Sequence, residues 1–467
     1  MFTTSRRVPA LAAPLMIWLA VGLLAVLLGR ASASEPFLAF SALLVLGIGW
    51  LVVSRRMTAL VPLATLTLAW GTSTLPFLSL SFPAKFAMLA AIGATIIPWL
   101  MARDQHLPVS IPFTVAFGAL TMFATISIAW SVNPDTSLPK AISLALLGVA
   151  ALIAIPLNCR NEQAARAILL WNGVSAAVFT TVGLAAGIAG IVVAFEGNGR
   201  FRGFLNSPNA IGFWIAPILP VLVVMATQEA PGARRRLLLA STAILAAALA
   251  VSGSRGGTIA AVAGVLVAFL ASGFSGQGRT VRRTVIIGIL AFSAASVVFP
   301  AFGLTLRSQT SGNVEGFFEI GSGSGRTVVW GESVPLINAE PLLGHGFGTT
   351  PELFPAVQEQ SGRNVLGRTH NSYLEAAVDL GWGGGVLLTV LVLSGLVAAW
   401  RVVRHPGPYR AFATVLLAGI VGGAVEGFFE SGLLAAGSLL ALPFWTVVAL
   451  AHSLRAADRR GLQLTSS

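Results

Sequence analysis

Apolar runs of 18 or more residues recur along the whole of this chain, and they restrict its fold more than any other feature. Wound as helix at about 1.5 Å per residue, such a run matches the hydrocarbon thickness of a bilayer. Backbone groups in lipid find no water, so spanning segments must be helices or closed barrels, and unbroken runs without alternation select helices. Hydrophobic residues make up 55% of the chain and charged residues 10%, a balance that suits lipid rather than an aqueous surface. The runs predict an all-α polytopic membrane protein with about fourteen spans, within a range of about twelve to fourteen. They fall at 9–29, 36–53, 58–78, 84–102, 110–130, 138–157, 165–194, 209–227, 237–252, 256–271, 284–304, 379–400, 411–429 and 433–452. One large polar interruption remains, residues 305–378, and it is expected to be an outer loop carrying short helices.

The net charge of +12 is almost all arginine; the lysines are Lys85 and Lys140. In a soluble chain such an excess suggests nucleic acid, but here loop topology accounts for most of it. With the N-terminus in the cytoplasm, Arg55, Arg56, Arg103, Arg160, Arg166, Arg234, Arg235, Arg236, Arg401, Arg404, Arg410, Arg455 and Arg459 all collect at cytoplasmic ends. That is the positive-inside bias with both termini inside, so no nucleic-acid partner is expected. The acids lie oppositely: Glu196, Glu332, Glu340, Glu352, Glu375, Asp379, Glu426 and Glu430 are on or near the outer side. Ala31-Ser32-Ala33-Ser34 resembles a signal-peptidase site, but the preceding run is long and is kept as a span.

Cys159 is the single cysteine, which excludes an internal disulfide framework and a thiol cluster for zinc. No acidic or histidine cluster has metal-ligand spacing, and neither a Walker loop nor a dinucleotide fingerprint occurs. Cytoplasmic loops are too short for a nucleotide domain. Any chemistry is therefore expected to face outward, with no cofactor and no metal, and to rely on arginine for charge neutralisation.

The arginines stranded outside are the informative ones: Arg200, Arg202, Arg255, Arg326, Arg363 and Arg368, with Arg30 and Arg307. Several sit beside a helix start. Arg200-Phe201-Arg202 precedes Ser207-Pro208-Asn209, where Ser207 can cap a helix and Pro208 fits its first position. Ser254-Arg255-Gly256-Gly257 and Ser324-Gly325-Arg326 repeat the design, and a short helix is expected near 326–338, ended by Glu340-Pro341. Gly344-His345-Gly346-Phe347-Gly348 reads as a turn. An arginine next to free backbone N–H groups suits a phosphate. Pairing with outer acids or lipid headgroups explains any single one equally well; Arg202, Arg255, Arg326 and Arg368 as a set favour a shared anion. Glu426 and Glu430 lie one helical turn apart near the outer end of a span and are expected to pair with an outer arginine, with a general-base role as the alternative.

Arg368-Thr369-His370-Asn371-Ser372-Tyr373-Leu374-Glu375 closes the long loop and opens a helix. Ser372 as N-cap with Glu375 three residues on makes a capping box. His370 then precedes a helix start, where the dipole disfavours an imidazolium and a general base can act on a hydroxyl. A capping role alone explains it too.

These pieces in order resemble the O-antigen ligase/polymerase superfamily of bacterial cell-surface glycan assembly. The matching residues are Arg202-Gly203-Phe204 with Ser207-Pro208-Asn209, then Ser254-Arg255-Gly256-Gly257. Gly325-Arg326 with Trp330, Pro341-Leu342-Leu343-Gly344-His345-Gly346, and His370-Asn371-Ser372-Tyr373-Leu374-Glu375 with Leu380-Gly381 complete the set. The resemblance divides the chain into an N-terminal bundle, 1–194, a ligase-like catalytic region, 195–400, and C-terminal helices with a cytoplasmic tail, 401–467. It implies metal-independent, inverting glycosyl transfer on the periplasmic side of the bacterial inner membrane. An undecaprenyl-pyrophosphate-linked glycan is the implied donor. The implied acceptor is a hydroxyl of lipid A core, for a ligase, or of another lipid-linked glycan, for a polymerase. Chain-length or export proteins are further implied partners. Carried over, Arg255 and Arg326 bind the pyrophosphate and His370 activates or positions the acceptor. Arg200, Arg202, Arg368, Asn209, Asn371 and Tyr373 are expected to contact substrate. A transporter or flippase of lipid-linked oligosaccharide is the alternative. It predicts midplane charges and related halves, and the polar residues crowd the outer edge instead.

Overall fold

A computed structural model describes residues 48–49, 51–52, 54–75, 78–100, 110–159, 161–196, 199–272, 326–361, 367–435 and 440–459. The expected spans 9–29 and 284–304, most of 36–53, the Gly321–Gly325 start of the loop, and Arg30, Arg307, Glu315, Glu319 and Arg363 lie outside the described residues. By Cα proximity the chain falls into two units, Met1–Arg56 and Met57–Ser467. The second unit holds the helical bundle.

The described residues are helical, without strands. In chain order they form α1 (Met57–Gly71), α2 (Leu78–Ala94), α3 (Ile111–Ile126), α4 (Pro134–Gly148), α5 (Glu162–Ile188), α6 (Pro208–Gln228), α7 (Ala233–Ser252) and α8 (Arg255–Ser272). Then come α9 (Arg326–Ala339), α10 (Thr350–Ser361), α11 (Ser372–Arg404), α12 (Arg410–Glu426) and α13 (Ala441–Arg459). A 3-10 turn extends α3 to Trp130, and a π turn carries α4 on to Asn158. Six of these helices are long and apolar enough to cross a membrane: 111–130, 134–158, 162–188, 208–228, 233–252 and 372–404. The expectation of about fourteen is thus met for six among the described residues. The last span was expected from 433, but α13 starts at Ala441, and Leu433 belongs to a loop whose carbonyl accepts from Trp445 Nε1 at 2.6 Å.

Helix starts follow the local chemistry. Asn133 caps α4 and Asn161 caps α5 through their side-chain oxygens, and Ser207 caps α6 with Pro208 at its first position. The middle of the bundle is α6, α8 and α12, packed on one another. Small residues set that spacing. A methyl on Gly257 would sit 2.5 Å from Gly212 Cα, one on Gly264 2.5 Å from the Ala418 carbonyl, and one on Gly422 2.2 Å from the Ala216 carbonyl. In lipid, where burial of apolar surface gives little drive, such close backbone approach supplies the packing.

The bundle has two distinguishable ends. At one, Arg166 Nη2 donates to Gln228 Oε1 at 2.8 Å, Gln228 Nε2 donates to Ala411 O, and the Arg166 guanidinium lies over the Phe412 ring. That joins the starts of α5 and α12 to the end of α6. The start of α6 and the end of α12 lie at the opposite end, with the candidate site.

α11 is broken at its third turn: Leu380 and Gly381 leave helical geometry, and Gly381 has φ +70°. The break frees carbonyls that would otherwise be taken within the helix. The Gly344–Gly348 turn fills the gap. His345 N and Gly346 N donate to the Val378 and Asp379 carbonyls, and Trp382 N donates to Pro341 O.

Candidate functional site

The segment 367–375 reaches the end of the loop and turns into α11. Asn371, not Ser372, is the N-cap: its Oδ1 accepts from Tyr373 N at 3.0 Å and Leu374 N at 3.1 Å. The Ser372 hydroxyl is committed elsewhere. It donates to Glu430 O at 2.8 Å and accepts from Gly432 N and Leu433 N. Glu375 takes the Thr369 hydroxyl at 3.3 Å rather than closing a capping box. Two adjacent cap-forming residues stand here, and docking of the 430–433 loop decides which one caps.

That docking holds His370 in the left-handed region, at φ +47°. Few non-glycine residues rest there, and the strain, about 1–3 kcal/mol, persists only when neighbours fix it. Ser372 N donates to Gly427 O at 2.7 Å, Asn371 N to Ser431 Oγ at 3.2 Å, and Trp330 Nε1 to Thr369 O at 2.9 Å.

The imidazole meets a carboxylate: His370 Nδ1 lies 2.8 Å from Glu430 Oε2. A carboxylate there requires Nδ1 to carry hydrogen, which leaves Nε2 as the ring nitrogen able to accept. The other oxygen, Glu430 Oε1, accepts from Arg326 Nη2 at 2.8 Å. Glu430 thus pairs with an outer arginine, as expected, and also holds the histidine, which sequence separation concealed; Glu426, expected to pair likewise, is buried with neither oxygen hydrogen-bonded among the described residues. Arg326 and Trp330, one turn apart on α9, both brace the His370 segment.

His370, Arg368, Glu375, Asp379 and Glu430 line a cavity of about 570 Å³, together with Lys85 and Lys140. Asn209 lines it as well, at the start of α6. Of the expected anion set, Arg368 is at the cavity wall; Arg200, Arg202, Arg255 and Arg326 are not among its lining. Arg326 reaches it through Glu430. Arg200 binds the 252–253 hairpin, with Nε to Ser252 O and Nη2 to Asn209 Oδ1, both 2.8 Å. Burial lowers its pKa; Glu196 opposes this, while Arg255 and Arg326 add to it, so these cations share one electrostatic neighbourhood with Glu430. Arg202 donates to Val193 O at 3.0 Å and Asn206 O at 3.4 Å. Arg255 opens α8, with Gly256 packed on Phe429 and Glu426. Tyr373 donates from its hydroxyl to Ala424 O at 2.9 Å and lies against the Phe428 ring, while Asn371 is buried as the cap. Both brace the site from behind.

Asp379, Lys85, Lys140 and Glu430 were not among the expected site residues. Asp379 is buried; its Oδ2 accepts from Gly348 N at 2.7 Å, and its Oδ1 from Thr350 N at 3.0 Å and Thr350 Oγ at 2.6 Å. Lys85 carried a signal that could have been used, since a cation inside an apolar helix is costly and faces a cavity.

Residues 240–389 match the family model described as O-Antigen ligase. The resemblance read from the motifs is thereby shown over this stretch, which contains Arg255, Arg326 and His370. Glu430, Lys85 and Lys140 lie outside it. No curated protein matches the chain. The match covers 150 of the 467 residues and points to O-antigen ligase/polymerase-type glycosyl transfer in general.

Proposed function

We propose that this protein transfers a glycan from undecaprenyl pyrophosphate to an acceptor hydroxyl, without a metal and with inversion, on the periplasmic face of the bacterial inner membrane. The observation that carries the reading is the chain Arg326–Glu430–His370, with both contacts at 2.8 Å, at the wall of a cavity. His370 Nε2 takes the proton of the acceptor hydroxyl as its oxygen forms a bond to the anomeric carbon. The bond from that carbon to the phosphate oxygen breaks on the opposite face, and lipid pyrophosphate leaves. Glu430 holds the ring and stabilises the imidazolium that forms, much as the acid of a catalytic triad does. Arg368 at the cavity wall meets the leaving diphosphate, and Arg326 and Arg255, behind that wall, offset its charge through space. The acceptor is lipid A core or another lipid-linked glycan.

The test is replacement of His370 by Ala in cells, with membrane expression confirmed by immunoblot. Loss of a general base costs about 10²–10⁴-fold in rate. Surface polysaccharide should shrink to single unattached units. Unchanged polysaccharide length and attachment would overturn the reading.

A further inference from the structure

Leu342 is 80% exposed, the most open large apolar side chain among the described residues, and Leu343 beside it is about half exposed. Pro341 is exposed as well, whereas residues 344 and 346–350 are buried. An apolar tip thus stands out from a turn whose root is packed in the protein, between α9 and α10.

The root lies across the ends of two spans. Trp130 Nε1, at the end of α3, donates to Leu343 O at 3.2 Å, and Val132 N donates to His345 O at 3.0 Å. From the other side Trp382 N, just past the break in α11, donates to Pro341 O at 2.9 Å. α3 and α11 pack on each other. Each carries an exposed apolar stripe at helical spacing. On α3 it is Ile111, Val115, Met122 and Ile126; on α11 it is Trp382, Val386, Val390, Leu393 and Val397. In spans of this length such stripes face acyl chains. They run up to the two tryptophans, and the exposed leucines of the turn continue them.

The depth agrees. Ile111 to Trp130 rises about 30 Å, and so does Trp382 to Arg401, which sets both tryptophans at one edge of the hydrocarbon. Tryptophan favours that edge. Asn338 and Glu340, exposed just before the tip, are polar, as suits the headgroup layer. A second protein is the other way to cover exposed leucines. Continuity decides for lipid: the tip extends a surface that two spans already present to the bilayer.

We propose that Pro341-Leu342-Leu343 is a membrane-interface anchor, with its leucines set among the acyl chains of the leaflet that borders the candidate site. Phe347 and Gly348, in the same turn, line the cavity, so the anchor holds that wall at the membrane surface. The inference uses no step of the transfer reaction.

The experiment uses the full chain in a Cys159→Ser background, one copy per nanodisc of phosphatidylcholine. A nitroxide is attached at Leu342→Cys and, as the water reference, at Gln360→Cys, exposed on α10. Its relaxation is read with oxygen, which concentrates among acyl chains, and with a water-soluble nickel chelate. At position 342 the balance should shift toward oxygen and away from nickel, relative to position 360. Leu343→Cys repeats the reading if the first variant does not reach the membrane. A balance at 342 equal to that at 360 would place the tip in water and overturn the anchor. Low access of both probes would show that protein covers the tip, and would overturn it too. Normal polysaccharide in the His370→Ala strain would remove the transferase reading and leave this result standing.

Discussion

Glu430 divides its carboxylate between a guanidinium and an imidazole, and the consequences are measurable one residue at a time. Replacing it with Gln keeps the shape but puts an amide N–H₂ against a donor, so either His370 or Arg326 must turn away. A misplaced base costs about 10²-fold in rate, and the polymer or ligated product should fall by that order. The double variant Glu430→Ala with His370→Ala should be no worse than His370→Ala alone, because residues acting as one unit do not add. Additive losses, measured as product formed per unit of protein in membranes, would separate Glu430 from the histidine. Part of this was legible in the sequence. His370 before a helix start, Arg326 opening a loop helix, and an outer acid pairing with an outer arginine could all be read from local chemistry. The His370–Glu430 contact could not, because the partners are 60 residues apart. The cap falls on Asn371 rather than the expected Ser372, since local preference cannot tell which of two capable neighbours a distant loop will occupy.

At the scale of elements, the interruption of α11 and the turn that fills it make one joint between membrane helix and loop. Gly344, Gly346 and Gly348 all have positive φ, and a methyl on Gly344 would lie 2.4 Å from the Asp379 carbonyl oxygen. The turn was legible as a turn, but not as the piece that completes a broken helix, because neither half of the joint has reason to break alone. Of the short helices expected in the loop only the one near 326–338 was placed; α10 was not, although Thr350-Pro351-Glu352 carries the proline and acid of a helix start. Asp379 caps that start from α11 with three hydrogen bonds. Asp379→Asn turns one acceptor into a donor facing N–H groups, and should destabilise the joint by about 2–4 kcal/mol. The amides of residues 344–350 should then exchange hydrogen faster while those of α6 do not, and Gly344→Ala should give the same pattern. Protection unchanged in both variants would show that the joint is held by something other than this carboxylate.

On the scale of the whole molecule, the question is which end of the bundle faces outward. α6 has 21 residues, about 30 Å at 1.5 Å per residue, which equals the hydrocarbon thickness. Its first turn holds Asn209 at the cavity, and its last holds Gln228, bonded to Arg166. The two ends of one helix therefore fix the two faces of the membrane. The Gln228 end gathers Arg166, Arg234, Arg235, Arg236, Arg401, Arg404 and Arg410, the bias expected of a cytoplasmic side. In the proposed orientation the cavity, with His370 and α10, opens to the periplasm, where the proposed lipid-linked donor is presented. Single cysteines in a Cys159→Ser background test this directly. Gln360→Cys, exposed on α10, should react with a membrane-impermeant maleimide in intact spheroplasts. Gly232→Cys, exposed in the turn between α6 and α7, should react only after permeabilisation. The reverse labelling would place His370 in the cytoplasm, away from any glycan already carried across the membrane, and no rearrangement of side chains within the cavity would restore the transfer proposed for it.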